Sequence, residues 1–148
     1  MSQENVYDGI YTKLTANQAG GSFYDTIANS NETSGKAIWL VQAPQDEAMP
    51  LCIITPVSDV PVKYFGDSDL DMEFQTDLYL DADDSTPDAA VQLLDLLLAE
   101  LYPSGVPATL TITNHSQSQI TCLDRGVPIR EEDAYRVTSQ WRVYATSD

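Results

Sequence analysis

The sequence is poor in positive charge: seven Lys plus Arg stand against 23 Asp plus Glu in 148 residues, a formal net charge of −16. Between Lys63 and Arg125 there is no Lys or Arg at all. A phosphate-binding face needs clustered cations, so nucleic-acid binding by this chain alone is not expected. Histidine is nearly absent. His115 is the single one, and its neighbours Asn114, Ser116 and Gln117 make it a hairpin-turn residue rather than an oriented catalytic base. The two cysteines, Cys52 and Cys122, stand in apolar, strand-like stretches with no C-x-x-C pair. They read as buried free thiols, and metal or redox chemistry has no scaffold. No apolar run approaches the roughly 20 residues of a bilayer span, and the longest, Leu93 to Leu101, is broken by Asp95 and Glu100. Met1 to Asp8 holds no basic residue and no apolar signal core, so a cytoplasmic chain is expected.

Catalytic and ligand motifs are missing as well. Gly35-Lys36 resembles the end of a phosphate loop, but Ala37 replaces the hydroxyl residue and Ser30 the leading glycine. Asp67, Asp69 and Asp71 have the spacing that opens a calcium loop, yet Met72 stands where glycine is required and Leu78 where the bidentate glutamate is required. Asp81, Asp83 and Ser85 fail likewise, with Thr86 at the glycine position. No acid cluster is joined to the aromatic and donor groups of a glycosidase cleft. No catalytic residue, cofactor or metal site is expected, and the chain is not expected to be an enzyme.

What is present is a core. Hydrophobic residues make up 43% of the chain, with eight Tyr and two Trp, enough for one domain spanning residues 1–148. Val6, Tyr7, Ile10 and Leu14 predict an amphipathic helix from Glu4 to Ala16 with Ser2 as its cap, stopped by Gly20-Gly21. Phe23, Tyr24 and Ile27 suggest a short helical turn, and Asn29 to Lys36 a polar loop. Ala37 to Gln42 and Leu51 to Pro56 read as strands, the second nearly all apolar and hence central in a sheet. From Leu70 to Asp81 apolar and polar residues alternate: Leu70, Met72, Phe74, Thr76, Leu78 and Leu80 share one face, the acids and Tyr79 the other. Such a strand belongs to an antiparallel or mixed sheet that is wet on one side.

Thr86-Pro87-Asp88 starts a second long helix with a hydroxyl cap and a proline in the first turn. Ala90, Val91, Leu94, Leu98 and Leu101 form its expected core stripe. Leu93, Leu96 and Leu97 widen that stripe beyond one face, which marks them as a candidate subunit interface or a deeper single core. Ala108 to Asn114, Gln119 to Asp124 and Tyr135 to Ala145 complete the strands, with a turn at Arg125 to Pro128 and an acidic loop at Glu131 to Asp133. The last strand carries Arg136 and Arg142 on its polar face, fit for cross-strand ion pairs with the acids of the strand at 70–81. The fold class is α+β, with two main helices on one face of a mostly antiparallel mixed sheet. Ser58 to Asp69 stays open between an edge strand and an exposed loop. Its Val60, Val62, Tyr64 and Phe65 make it the candidate docking loop.

In this order the elements resemble the tail-terminator, or tail-completion, proteins of long-tailed bacteriophages. The resemblance rests on the opening helix Val6 to Leu14 and on the loop and strand from Gln42-Ala43-Pro44 through Pro50-Leu51-Cys52-Ile53-Ile54. It continues in the alternating strand Met72 to Leu80, the leucine-rich helix Asp88 to Leu101 and the closing strand Tyr135 to Tyr144. The loops at Val57 to Asp71 and Ser116 to Asp133 are longer than that pattern. The resemblance implies a structural virion protein at the head–tail junction, assembled in the host cytoplasm, with no membrane partner. It would form a hexameric ring that ends the tail tube, with the tube protein and a head-side connector or stopper as partners. Genome DNA would pass through such a ring without being tightly bound. Asp67, Asp69, Asp71, Glu73 and Asp77 are then the candidate lumen-facing acids, repelling phosphate so that DNA slides. Alternatives are an adaptor or stopper ring, a minor tail-tube component or, from a different class, an acidic DNA mimic. The charge balance gives a direct test: the purified protein is expected to leave duplex DNA unshifted at physiological salt. Sub-micromolar binding that weakens steeply with added salt would reveal a cationic face and remove the lumen argument.

Overall fold

Alternation of residue type decides the centre of the molecule. The computed structural model describes residues 2–30, 37–42, 49–62, 69–83, 86–106, 108–112 and 115–147. In chain order the elements are α1 (Ser2–Ala16), α2 (Phe23–Ser30), β1 (Ile38–Leu40), β2 (Leu51–Val62), β3 (Asp69–Asp81), α3 (Pro87–Leu101), β4 (Ala108–Thr109), β5 (His115–Asp124), β6 (Ile129–Glu131) and β7 (Ala134–Ser147). The strands form one sheet in the order β1-β2-β3-β7-β5-β4, with β6 also on β7. The pair β1–β2 is parallel and the others are antiparallel. This is the expected α+β class: two 15-residue helices, α1 and α3, with the short α2 between them in the chain, and more sheet than helix.

At the middle, β3 and β7 run antiparallel in unbroken register from Leu70↔Ala145 to Asp81↔Ala134. Because side chains alternate, Met72, Phe74, Thr76, Leu78 and Leu80 of β3 lie beside Val137, Ser139, Trp141, Val143 and Ala145 of β7, all of them buried on the helix side. Phe74 and Trp141 stack with ring centroids 6.3 Å apart and planes 9° apart. Burying the indole is compatible with its polar N–H because Nε1 donates to Thr76 Oγ1 at 2.9 Å. Thr76 is thus a polar residue that the core needs rather than tolerates.

The helices cover that face. α3 lies on β3 and β7, α1 on β2 and α3, and α2 on α3. Thr86 caps α3 as expected, its Oγ1 accepting from Ala89 N at 3.2 Å, with Pro87 in the first turn. The buried residues of α3 are Ala90, Leu93, Leu94, Leu97 and Leu101. This corrects the expected stripe: Val91 is exposed and Leu98 half-buried. Leu93 and Leu97 are 3% and 0% exposed within a single chain, on one face of α3 with Ala90, Leu94 and Leu101, which is the deeper-core alternative. Only Leu96 of that trio keeps surface. In α1 Gly9 allows close approach, since a Cβ there would sit 2.8 Å from Thr111 O.

β1 is short for a backbone reason. Ala37 and Val41, at its two ends, adopt φ of 59° and 68°, and the left-handed conformation interrupts an extended strand. β2 in contrast runs to Val62, so the open segment resolves as strand through Val62, paired with β3 at Val60↔Asp71 and Val62↔Asp69. β1 covers only Cys52 to Ile54 of its outer edge. Cys52 N and Ile54 O bond outward to Ala37 O and Val41 N, so Pro56 is the next outward-directed position. After the register shift between Pro56 and Ser58, Pro61 takes up the same orientation. Prolines there remove the outward donors that would otherwise recruit another strand. The predicted loop at 31–36, the Ala43-Pro44 stop, and Tyr64, Phe65 and Asp67 lie outside the described residues. His115 opens β5, and its N–H bonds to Ile112 O at 3.1 Å, the i→i+3 bond that closes a turn.

With Leu93 buried by its own chain, Leu93→Asp is expected to abolish folding rather than yield a soluble folded monomer, since an unpaired carboxylate has no partner there. Circular dichroism and sedimentation of the variant check this; a folded monomer that no longer assembles would restore Leu93 to a subunit interface.

Candidate functional surfaces

The side of the sheet away from the helices carries the polar residues of β3 and β7. Asp71, Glu73, Gln75, Asp77 and Tyr79 face Tyr144, Arg142, Gln140, Thr138 and Arg136 in register. The expected cross-strand ion pairing is realised once. Arg142 forms a two-pronged pair with Asp71, Nε to Oδ1 at 2.7 Å and Nη2 to Oδ2 at 2.6 Å, a diagonal contact across the pair. That hydrogen-bonded carboxylate raises the Arg142 pKa above its ordinary value. Arg136 instead pairs with Glu131 at 2.9 Å, because β6 turns directly into β7 and brings that acid nearer.

Asp77 differs from the other acids. It is 6% exposed, and among the described residues no cation lies within salt-bridge distance of it. Gln75 Nε2 donates to its Oδ2 at 2.9 Å and the Thr138 hydroxyl donates to its Oδ1. Its register neighbour on β2 is Ile53. The candidate lumen acids thus differ in their surroundings. Asp71 is tied to Arg142, Asp77 is spent inside the chain, Glu73 is half-buried, and Asp69 opens β3.

Groups able to do chemistry are held in neutral or engaged forms. Burial pushes the Cys52 thiol far up, and raises that of half-buried Cys122, so neither is a ready thiolate. Burial pushes the Tyr7 phenol up to about 12, and its hydroxyl donates to Ile38 O at 3.1 Å. Among the described residues no group of three or more His, Cys, Asp or Glu is placed to hold a metal ion. No helix among them is long and apolar enough to cross a membrane.

Two concavities lie at the helix–sheet rim. One, of about 330 Å³, is lined by Thr26, Pro50, Leu80, Ala89, Leu93 and Leu96, and gives Leu96 its partial cover. The other, of about 460 Å³, opens between the end of α3 and β5, lined by Leu98, Tyr102, Leu123 and Asp124, with Arg125 bonded to Asp95 across it at 2.8 Å. The turn expected at 125–128 also carries exposed apolar residues, Val127 and Ile129 between Arg125 and Arg130, with Leu123 just before them.

An α+β architecture with one helix-covered mixed sheet is thus defined by the chain itself. The same fold is found in solved structures: a chain of the structure described as "Virion of native gene transfer agent (GTA) particle" superposes with a TM-score of 0.71 at 14% identity, over 97% of this chain and 96% of that one. A second solved chain gives a TM-score of 0.61 at 12% identity, over 100% of this chain and 98% of its own. No protein-family model and no curated protein matches the sequence.

The two kinds of acid separate in a simple experiment. Asp77→Ala, which leaves the Thr138 hydroxyl and Gln75 amide without their acceptor, is expected to cost about 1–3 kcal/mol in urea unfolding. Asp71→Ala, at a partly exposed pair, is expected to cost no more than about 1 kcal/mol. Equal losses would mean that Asp77 is not the organising group of this face.

Proposed function

We propose that this chain is a structural protein of a phage-like particle, and specifically a tail terminator: a hexameric ring that closes the tail tube and meets the head-side connector. The observation that carries the reading is the end-to-end fold match with a chain of the gene transfer agent virion, which leaves neither chain with a large unmatched part. The helix-strand order that resembles tail terminators in sequence is the order of this fold. A scaffold with depressed thiol reactivity and a polar face consumed by its own hydrogen bonds suits an architectural role rather than an enzymatic one. The strong negative balance suits a ring through which DNA moves without adhering. Partners in this reading are further copies of the chain, the tube protein and the connector or stopper. The segment with Val60 and Val62 at the end of β2, continuing in sequence through Tyr64 and Phe65, is the element that docks on the tube.

Removing residues 61–68 and joining the ends with two glycines spares the register from Leu51↔Tyr79 to Val60↔Asp71, so the fold is expected to survive. Particles made with this variant are expected to show tails of uncontrolled length, or heads and tails that fail to join, in negative-stain electron microscopy. Normal virions would remove the docking role from the hairpin. Normal virions after deletion of the whole gene would overturn the terminator reading itself. Tails of normal length with leaking or tailless heads would favour an adaptor or stopper.

A further inference from the structure

We draw no further inference here: the strongest candidate, the rim at residues 121–131 where Leu123, Val127 and Ile129 are exposed beside the concavity of about 460 Å³ between the end of α3 and β5, balances Arg125 and Arg130 against Asp124 and Glu131, and nothing in the structure shows what covers it.

Discussion

The β3–β7 pair is the constraint on which the rest of the molecule depends. Its register, from Leu70↔Ala145 to Asp81↔Ala134, fixes two faces at once. On one side it assembles Phe74, Trp141, Leu78, Val137 and Val143 into the floor on which α3 lies. On the other it brings Asp71 to Arg142 and Asp77 to Thr138. A slip of one residue would exchange the two faces and bury a row of carboxylates. The Trp141–Thr76 hydrogen bond guards against that slip, because only the native register gives the buried indole its acceptor. The outer strands and the helices are placed by reference to this pair.

Much of that architecture is legible in the chain. The alternation through Leu70 to Asp81 and Tyr135 to Ala145 names both faces of both central strands, since a half-buried strand has only one way to sort its side chains. Thr86-Pro87 likewise marks the start of α3. Periodicity does less well where burial comes from more than one direction. Ala90, Val91, Leu94, Leu98 and Leu101 fit a helical stripe as well as the buried set Ala90, Leu93, Leu94, Leu97 and Leu101 does. The choice between them is made by α1 and α2, which close over α3 from positions that no local pattern encodes. The burial of Asp77 is hidden for the same kind of reason. Its neighbours Ile53 and Thr138 come from other strands, and in sequence it is one acid among several. The short β6 and the exposed rim before it leave no periodic trace, because three exposed residues have neither a helical nor a strand-like apolar pattern.

These features bear on function through charge. A chain of net charge −16 resists crowding copies of itself together, so any ring must confine its few cations to places where they count. Arg136 and Arg142 organise the polar face within the chain, through Glu131 and Asp71, while Arg125 and Arg130 stand at the rim with the exposed valine and isoleucine. The fold shared with a gene transfer agent virion chain at 14% identity is what such physics allows.

The central claim is that this chain forms a closed ring between tail tube and head, and a cryo-electron microscopy map of the particle neck tests it most directly. The account expects one hexameric ring of this fold at the tube end, with its channel free of bound DNA contacts from arginine. Density for the chain spread along the tube, or its absence from the particle, would contradict it.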